Sequence, residues 1–127
     1  MAQFRPAIGR VTGLGSAKEG THHFWIQRLT AIALVPLTLW FVASIASLAG
    51  AEQAAVKAWL SSPVAALLML AFLISGFWHL KLGLQVVIED YIHSEAVKIT
   101  ALVLNSFLCI LVGGAACLAV LSLFLGA

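Results

Sequence analysis

In the apolar string Gly76-Phe-Trp-His79-Leu-Lys81-Leu-Gly83-Leu-Gln-Val-Val-Ile-Glu-Asp90-Tyr91, a histidine stands where hydrocarbon is expected to surround it. An ionisable side chain is costly enough there that function is the default inference. Steps of four, seven and eleven residues along a helix return to nearly the same direction, so His79, Gly83, Val86 and Asp90 share one stripe, and Gly76 joins it one turn earlier. A neutral imidazole is a good metal ligand, and a glycine one turn away removes the side chain that would crowd a flat ligand. The pattern points to a haem site with His79 on the iron. The competing assignment is an imidazole that only hydrogen-bonds a carbonyl or hydroxyl on a neighbouring helix. About 18 Å further along, at the usual helical rise, Asp90 and Tyr91 offer a carboxylate and a phenol where apolar sequence gives way to charge. That pair suits a polar ligand head, because aspartate beside tyrosine is not the usual interfacial belt. Arg28 opens the first apolar run and serves either as a topology anchor or as a contact for a bound anion. Lys81 points away from His79 and either snorkels or meets a haem propionate. His22, His23 and His93 lie at or outside the membrane surface and are assigned no metal.

The elements that must position these residues follow from composition. Of 127 residues 62% are hydrophobic and 9% charged, against about 25% charged in an ordinary soluble domain. The chain is therefore expected to be an all-α membrane protein. Residues 29–49, 64–88 and 99–125 each meet the length of about 20 apolar residues that a membrane helix needs. The link from Gly50 to Ser62 carries Glu52, Lys57 and Trp59 and suits an outer-face turn of helix on the interface. Arg5, Arg10, Lys18 and Arg28 precede or open the first span and Lys98 lies in the second connection, which places the N-terminus and the second connection in the cytoplasm and the C-terminus on the opposite side of the membrane. The Ala-Ser-Leu-Ala-Gly end of the first span imitates a cleavage site, but its polar lead is long and its apolar run exceeds a signal sequence, so the span is expected to be retained. A net charge of +2 is too small and scattered for nucleic acid. Cys109 and Cys117 are eight residues apart on one expected helix, too far to bridge.

Residues 1–23 have no apolar period and are expected to form a cytoplasmic arm or partner-docking segment, ahead of a three-helix anchor over 24–127. Pro36 is tolerable inside the first span with a mild kink. Gly113-Gly114-Ala115-Ala116 in the third span is assigned to close helix packing. One histidine fills only one axial position of a haem, so a partner with its own transmembrane helices is implied.

Gln27-Arg28-Leu29-Thr30-Ala31-Ile32-Ala33-Leu34, together with His79, Gly83, Asp90 and Tyr91 at their spacing, resembles the family of hydrophobic membrane anchors of succinate dehydrogenase, respiratory complex II. The segment Gly15-Ser16-Ala17-Lys18-Glu19-Gly20 followed by His22-His23-Phe24-Trp25 resembles its alphaproteobacterial branch. The resemblance implies that His79 supplies one axial ligand to haem b and that a companion cytochrome b anchor subunit supplies the other. It implies that Tyr91 hydrogen-bonds a ubiquinone carbonyl, that Asp90 lines the same site, and that Arg28 lies near the quinone and the haem propionates. It further implies that flavin and iron–sulfur clusters reside in two soluble partner subunits, that this chain is not catalytic alone, and that the membrane is a bacterial inner membrane with the C-terminus of the chain in the periplasm. Rival expectations are a fumarate reductase anchor, another small haem b subunit, or, from a different class, a small transporter or assembly protein. Ion-coupled transport calls for an intramembrane acid, whereas Glu52, Glu89, Asp90 and Glu95 all fall at or beyond span ends.

Overall fold

The computed structural model describes residues 17–127, with side chains from Gly20 onward. Helices α1 (Ala17–Ser47), α2 (Gln53–Leu60), α3 (Pro63–Tyr91) and α4 (Glu95–Leu125) account for nearly all of them. The all-α expectation holds, and α1, α3 and α4 are long and apolar enough to cross a membrane. Each outruns its apolar stretch, because a helix need not stop where hydrocarbon does. The difference is largest in α1, whose helix already includes residues 17–23, expected as part of the arm. Phe24 and Trp25 thus stand about two turns inside α1. Residues 1–16 of the arm lie outside the described residues.

Local signals set the other boundaries. Pro63 begins α3 at the first helical position, where its missing N–H costs nothing. Ile92 adopts extended geometry and stops α3, and Gly126 closes α4 in the left-handed conformation at φ 76°. Pro36 lies within α1, which runs on to Ser47.

The three long helices form a single layer with α3 in the middle. It packs against both α1 and α4, while the backbones of α1 and α4 do not approach each other. The tightest packing lies at the end where α2 sits. Ala66 and Met69 of α3 and Val120 of α4 form its buried centre, flanked by Trp40, Phe41, Trp59 and Phe72. Trp59 of the short helix stacks on Trp40 of α1 at 5.7 Å between ring centroids, and Phe41 stacks on Phe72 at 4.7 Å. The hydroxyl of Ser61, between α2 and α3, lies within hydrogen-bond reach of two carbonyl oxygens, that of Lys57 at 2.7 Å and that of Leu123 in α4 at 3.0 Å. Such a layer leaves two broad apolar faces uncovered, among them Leu29, Ile32, Val35 and Leu39 of α1 and Phe107, Ile110 and Leu111 of α4.

Only part of the small-residue patch in α4 does the packing. A Cβ on Gly113 would lie 2.9 Å from Cγ of Phe77, closer than side chains tolerate, whereas one on Gly114 meets nothing within 4 Å. Gly113→Ala is therefore expected to push α3 and α4 apart at a cost of about 1–3 kcal/mol. Gly114→Ala should be neutral or slightly favourable, by up to about 1 kcal/mol of helix preference. Thermal unfolding of the two variants side by side in detergent measures this, and equal effects would show that the Phe77 contact does not limit the helix approach.

Candidate functional site

The stripe that the sequence singled out on α3 faces α1. A Cβ on Gly76 would touch Cδ2 of Leu34 and one on Gly83 would touch Nε2 of Gln27, both at 3.8 Å. The room beside these glycines is thus occupied by α1, which they admit to close range. Between them the Nδ1 atom of His79 lies 3.1 Å from Oγ1 of Thr30. The imidazole therefore hydrogen-bonds a hydroxyl on a neighbouring helix, as the competing assignment holds, but with one nitrogen only. Among the described residues Nε2 of His79 has no hydrogen-bond partner. In front of the ring runs an open apolar groove of about 400 Å³ lined by Ala31, Leu34, Val35, Thr38 and Leu39.

This donor set suits a haem. A neutral imidazole with one nitrogen engaged and the other carrying no hydrogen bond is the usual form of a ligating histidine, and the groove beside it is apolar. No group of three or more His, Cys, Asp or Glu side chains gathers among the described residues. One histidine suffices where a partner brings the second ligand.

Lys81 stands on another side of α3 and lines a groove of about 250 Å³ between α3 and α4, with Phe77, Trp78, Cys109, Gly113 and Cys117. Its ammonium lies 5.5 Å from the centre of the Trp78 ring, a cation–π contact that offsets part of the cost of a charge at this depth. Turned toward α4 while His79 faces α1, it is not aimed at the His79 groove. Asn105, the one buried polar residue among those described, donates through Nδ2 to the Lys81 carbonyl at 3.0 Å and ties α4 to the middle of α3.

Asp90 and Tyr91 end α3, and both are exposed, Tyr91 at 77%. Arg28 is also exposed, its guanidinium 4.8 Å from the centre of the Phe24 ring one turn back on α1. Among the described residues no hydrogen bond or ion pair joins Arg28, Asp90 and Tyr91. Near this end of α1, Nε2 of His23 and Oε1 of Gln27 are buried without a hydrogen-bond partner among the described residues.

Reasoning from the string around His79 missed Thr30 and Gln27. Their signal was available: positions 23, 27 and 30 are polar and recur at helical spacing, the last of them inside the apolar run. The partner of Asn105 is a backbone carbonyl that only the packed structure supplies.

A single layer of three membrane-crossing helices, with a histidine at membrane depth bonded across one helix interface, defines a multi-pass helical membrane protein. Sequence comparison narrows the class: the chain belongs to the family of succinate dehydrogenase/fumarate reductase transmembrane subunits, which its residues 3–113 match. It is similar to the succinate dehydrogenase hydrophobic membrane anchor subunit of Rickettsia bellii, 35% identical over 100 residues that cover 79% of this chain and 80% of that one. The subunit of the same description from Rickettsia conorii is 30% identical over 108 residues, 84% of this chain and 86% of that one. The one from Paracoccus denitrificans is 39% identical over 79 residues, 62% and 61% of the two chains. These organisms are alphaproteobacteria, in keeping with the branch that residues 15–25, at the start of α1, resemble.

Gly83, one turn from His79, faces the end of the Gln27 side chain of α1. Gly83→Ala places its methyl at an ordinary contact distance from Gln27 and is expected to be tolerated. Gly83→Leu has to displace Gln27 and should cost about 1–3 kcal/mol. The melting temperatures of the two variants decide the point, and a Leu variant as stable as the Ala one would show that α1 is not in close contact here.

Proposed function

We propose that this chain is a membrane anchor of succinate:ubiquinone oxidoreductase, that it holds haem b through His79, and that the end bearing Asp90 and Tyr91 helps form the ubiquinone-reduction site. Family membership and the names of the similar proteins support the anchor role. The single observation that carries the haem assignment is the state of His79, with Nδ1 engaged by Thr30 and Nε2 without a partner beside an apolar groove. The partners on this reading are a companion cytochrome b anchor subunit, an iron–sulfur subunit and a flavoprotein subunit. The positive-inside count orients the N-terminus and the α3–α4 connection to the cytoplasm. The soluble subunits then dock on the side where Tyr91 stands.

Reducing a quinone to a quinol takes two electrons and two protons. Tyr91 offers an O–H at the end of α3, where it can donate to a quinone carbonyl and stabilise charge as the oxygen is reduced. Asp90 and Arg28 set the local charge. The exposure of Tyr91 fits a site that is completed by neighbouring subunits, which exclude water and hold the ring in place. Bound at His79, haem b would supply a reversible one-electron store whose potential the protein tunes through ligand and burial. His79 itself binds and orients.

Tyr91→Phe keeps the ring and its packing but removes the donor. Assembly and haem content are expected to survive while succinate:quinone reductase activity falls about 100-fold, the usual cost of a preorganised hydrogen bond to a developing oxyanion. Succinate oxidation with a soluble dye that accepts electrons upstream of the quinone should stay at the wild-type level. Equal loss of both activities, or no loss of either, would overturn the quinone role.

His79→Leu is expected to remove the low-spin signature of a haem with two histidine ligands, leaving the assembled complex with less haem or with high-spin haem in a reduced-minus-oxidised visible spectrum. An unchanged spectrum would refute the ligand assignment.

A further inference from the structure

We propose that Thr30 is a positioning residue for His79: its hydroxyl accepts the Nδ1–H of the imidazole and so holds the ring as the tautomer whose free lone pair lies on Nε2. The proposal rests on the reading of His79 as a haem ligand and deepens it by assigning the residue that prepares the ligand. Three polar atoms surround Oγ1 of Thr30, namely the Ile26 carbonyl oxygen at 2.8 Å, the Gln27 carbonyl oxygen at 3.0 Å and Nδ1 of His79 at 3.1 Å. A hydroxyl has one proton to give and two lone pairs to offer. The two carbonyl oxygens can only accept, and they are the nearer neighbours, so the proton goes to them. This back-bond to the preceding turn is the ordinary habit of threonine in a helix. A lone pair is then left facing Nδ1, and a favourable contact requires that Nδ1 carry the hydrogen. A neutral imidazole has only one N–H, which leaves Nε2 unprotonated.

Fixing the tautomer does two things. It removes the wrong protonation state, in which an N–H would stand where a metal must bind, and it holds the ring plane against rotation. A hydrogen bond from the far N–H also makes a ligating histidine a stronger donor. The contact lies between Gly76 and Gly83, one turn on either side of His79, where an added Cβ would meet only the tips of the Leu34 and Gln27 side chains of α1 at 3.8 Å. Threonine also leaves α1 little disturbed, since its hydroxyl bonds within its own helix as well as across the interface.

The experiment uses the assembled complex purified from membranes, with Thr30→Val, Thr30→Ser and His79→Leu beside wild type. Valine keeps the branched shape and deletes the hydroxyl, while serine keeps the hydroxyl. The readouts are haem per complex, the rate of haem transfer to excess apomyoglobin, and the haem midpoint potential from a redox titration. Thr30→Val should weaken haem retention about 10–100-fold, the usual effect of losing the partner behind a metal-bound histidine. It should also raise the midpoint potential, because a weaker donor stabilises the oxidised iron less. Thr30→Ser should restore both toward wild type. If valine prevents assembly, Thr30→Ala is read the same way, since alanine is the best helix former. Wild-type retention and potential in Thr30→Val, with His79→Leu altered, would overturn the role of Thr30 alone. Equal losses in the valine and serine variants would make Thr30 a packing residue and overturn the proposal. Wild-type behaviour in His79→Leu would overturn the ligand reading itself.

Discussion

Hydrocarbon offers no hydrogen-bond partner to a peptide group, and this one constraint governs the rest of the structure. It makes each spanning segment a continuous helix, so that α1 continues past Pro36 and α3 and α4 each run from one polar boundary to the next. It also removes the usual reason for helices to associate, because lipid is as apolar as leucine. What remains is close approach and a few polar contacts. Gly113 against Phe77 is the first kind, and Asn105 against the Lys81 carbonyl is the second.

The middle helix carries the architecture because it alone touches both long neighbours. On one side it meets α1 through Gly76, His79 and Gly83; on the other it meets α4 through Phe77 and the Lys81 carbonyl. Each interface pairs a small-residue contact with one side-chain hydrogen bond. The same geometry separates the two ionisable side chains at membrane depth. His79 is turned to the α1 side with its ring at an apolar groove, and Lys81 to the α4 side with its ammonium over Trp78.

A single layer of helices is an incomplete enclosure. On the proposed reading that incompleteness is functional: His79 supplies one of two axial positions, and Tyr91 presents its hydroxyl at an exposed helix end. The tight aromatic packing lies at the opposite end, where α2 closes over α1 and α3. Rigidity is thus concentrated away from the face that would receive quinone and soluble subunits. At the other end Arg28 lies over Phe24 and Gln85 donates to Glu89, each contact within a single helix.

Three spans, their approximate limits and the shared stripe of Gly76, His79 and Gly83 were legible in the sequence, because apolar length and helical period are local properties of the chain. The family was legible too, since its motif lies within the first two spans. The start of α1 at Ala17 was not, because a polar turn that continues a helix beyond the hydrocarbon leaves no mark in hydropathy. Nor could spacing reveal what fills the space beside Gly83 or which of two adjacent glycines in α4 is under compression. Those answers depend on which helix lies opposite and at what rotation. The pairing of His79 with Thr30, 49 positions earlier, belongs to the same class. Each residue's type and helix face could be read from the chain, but their meeting was decided by the packing of α3 on α1, because a contact between helices is a property of two surfaces and each sequence segment describes only one.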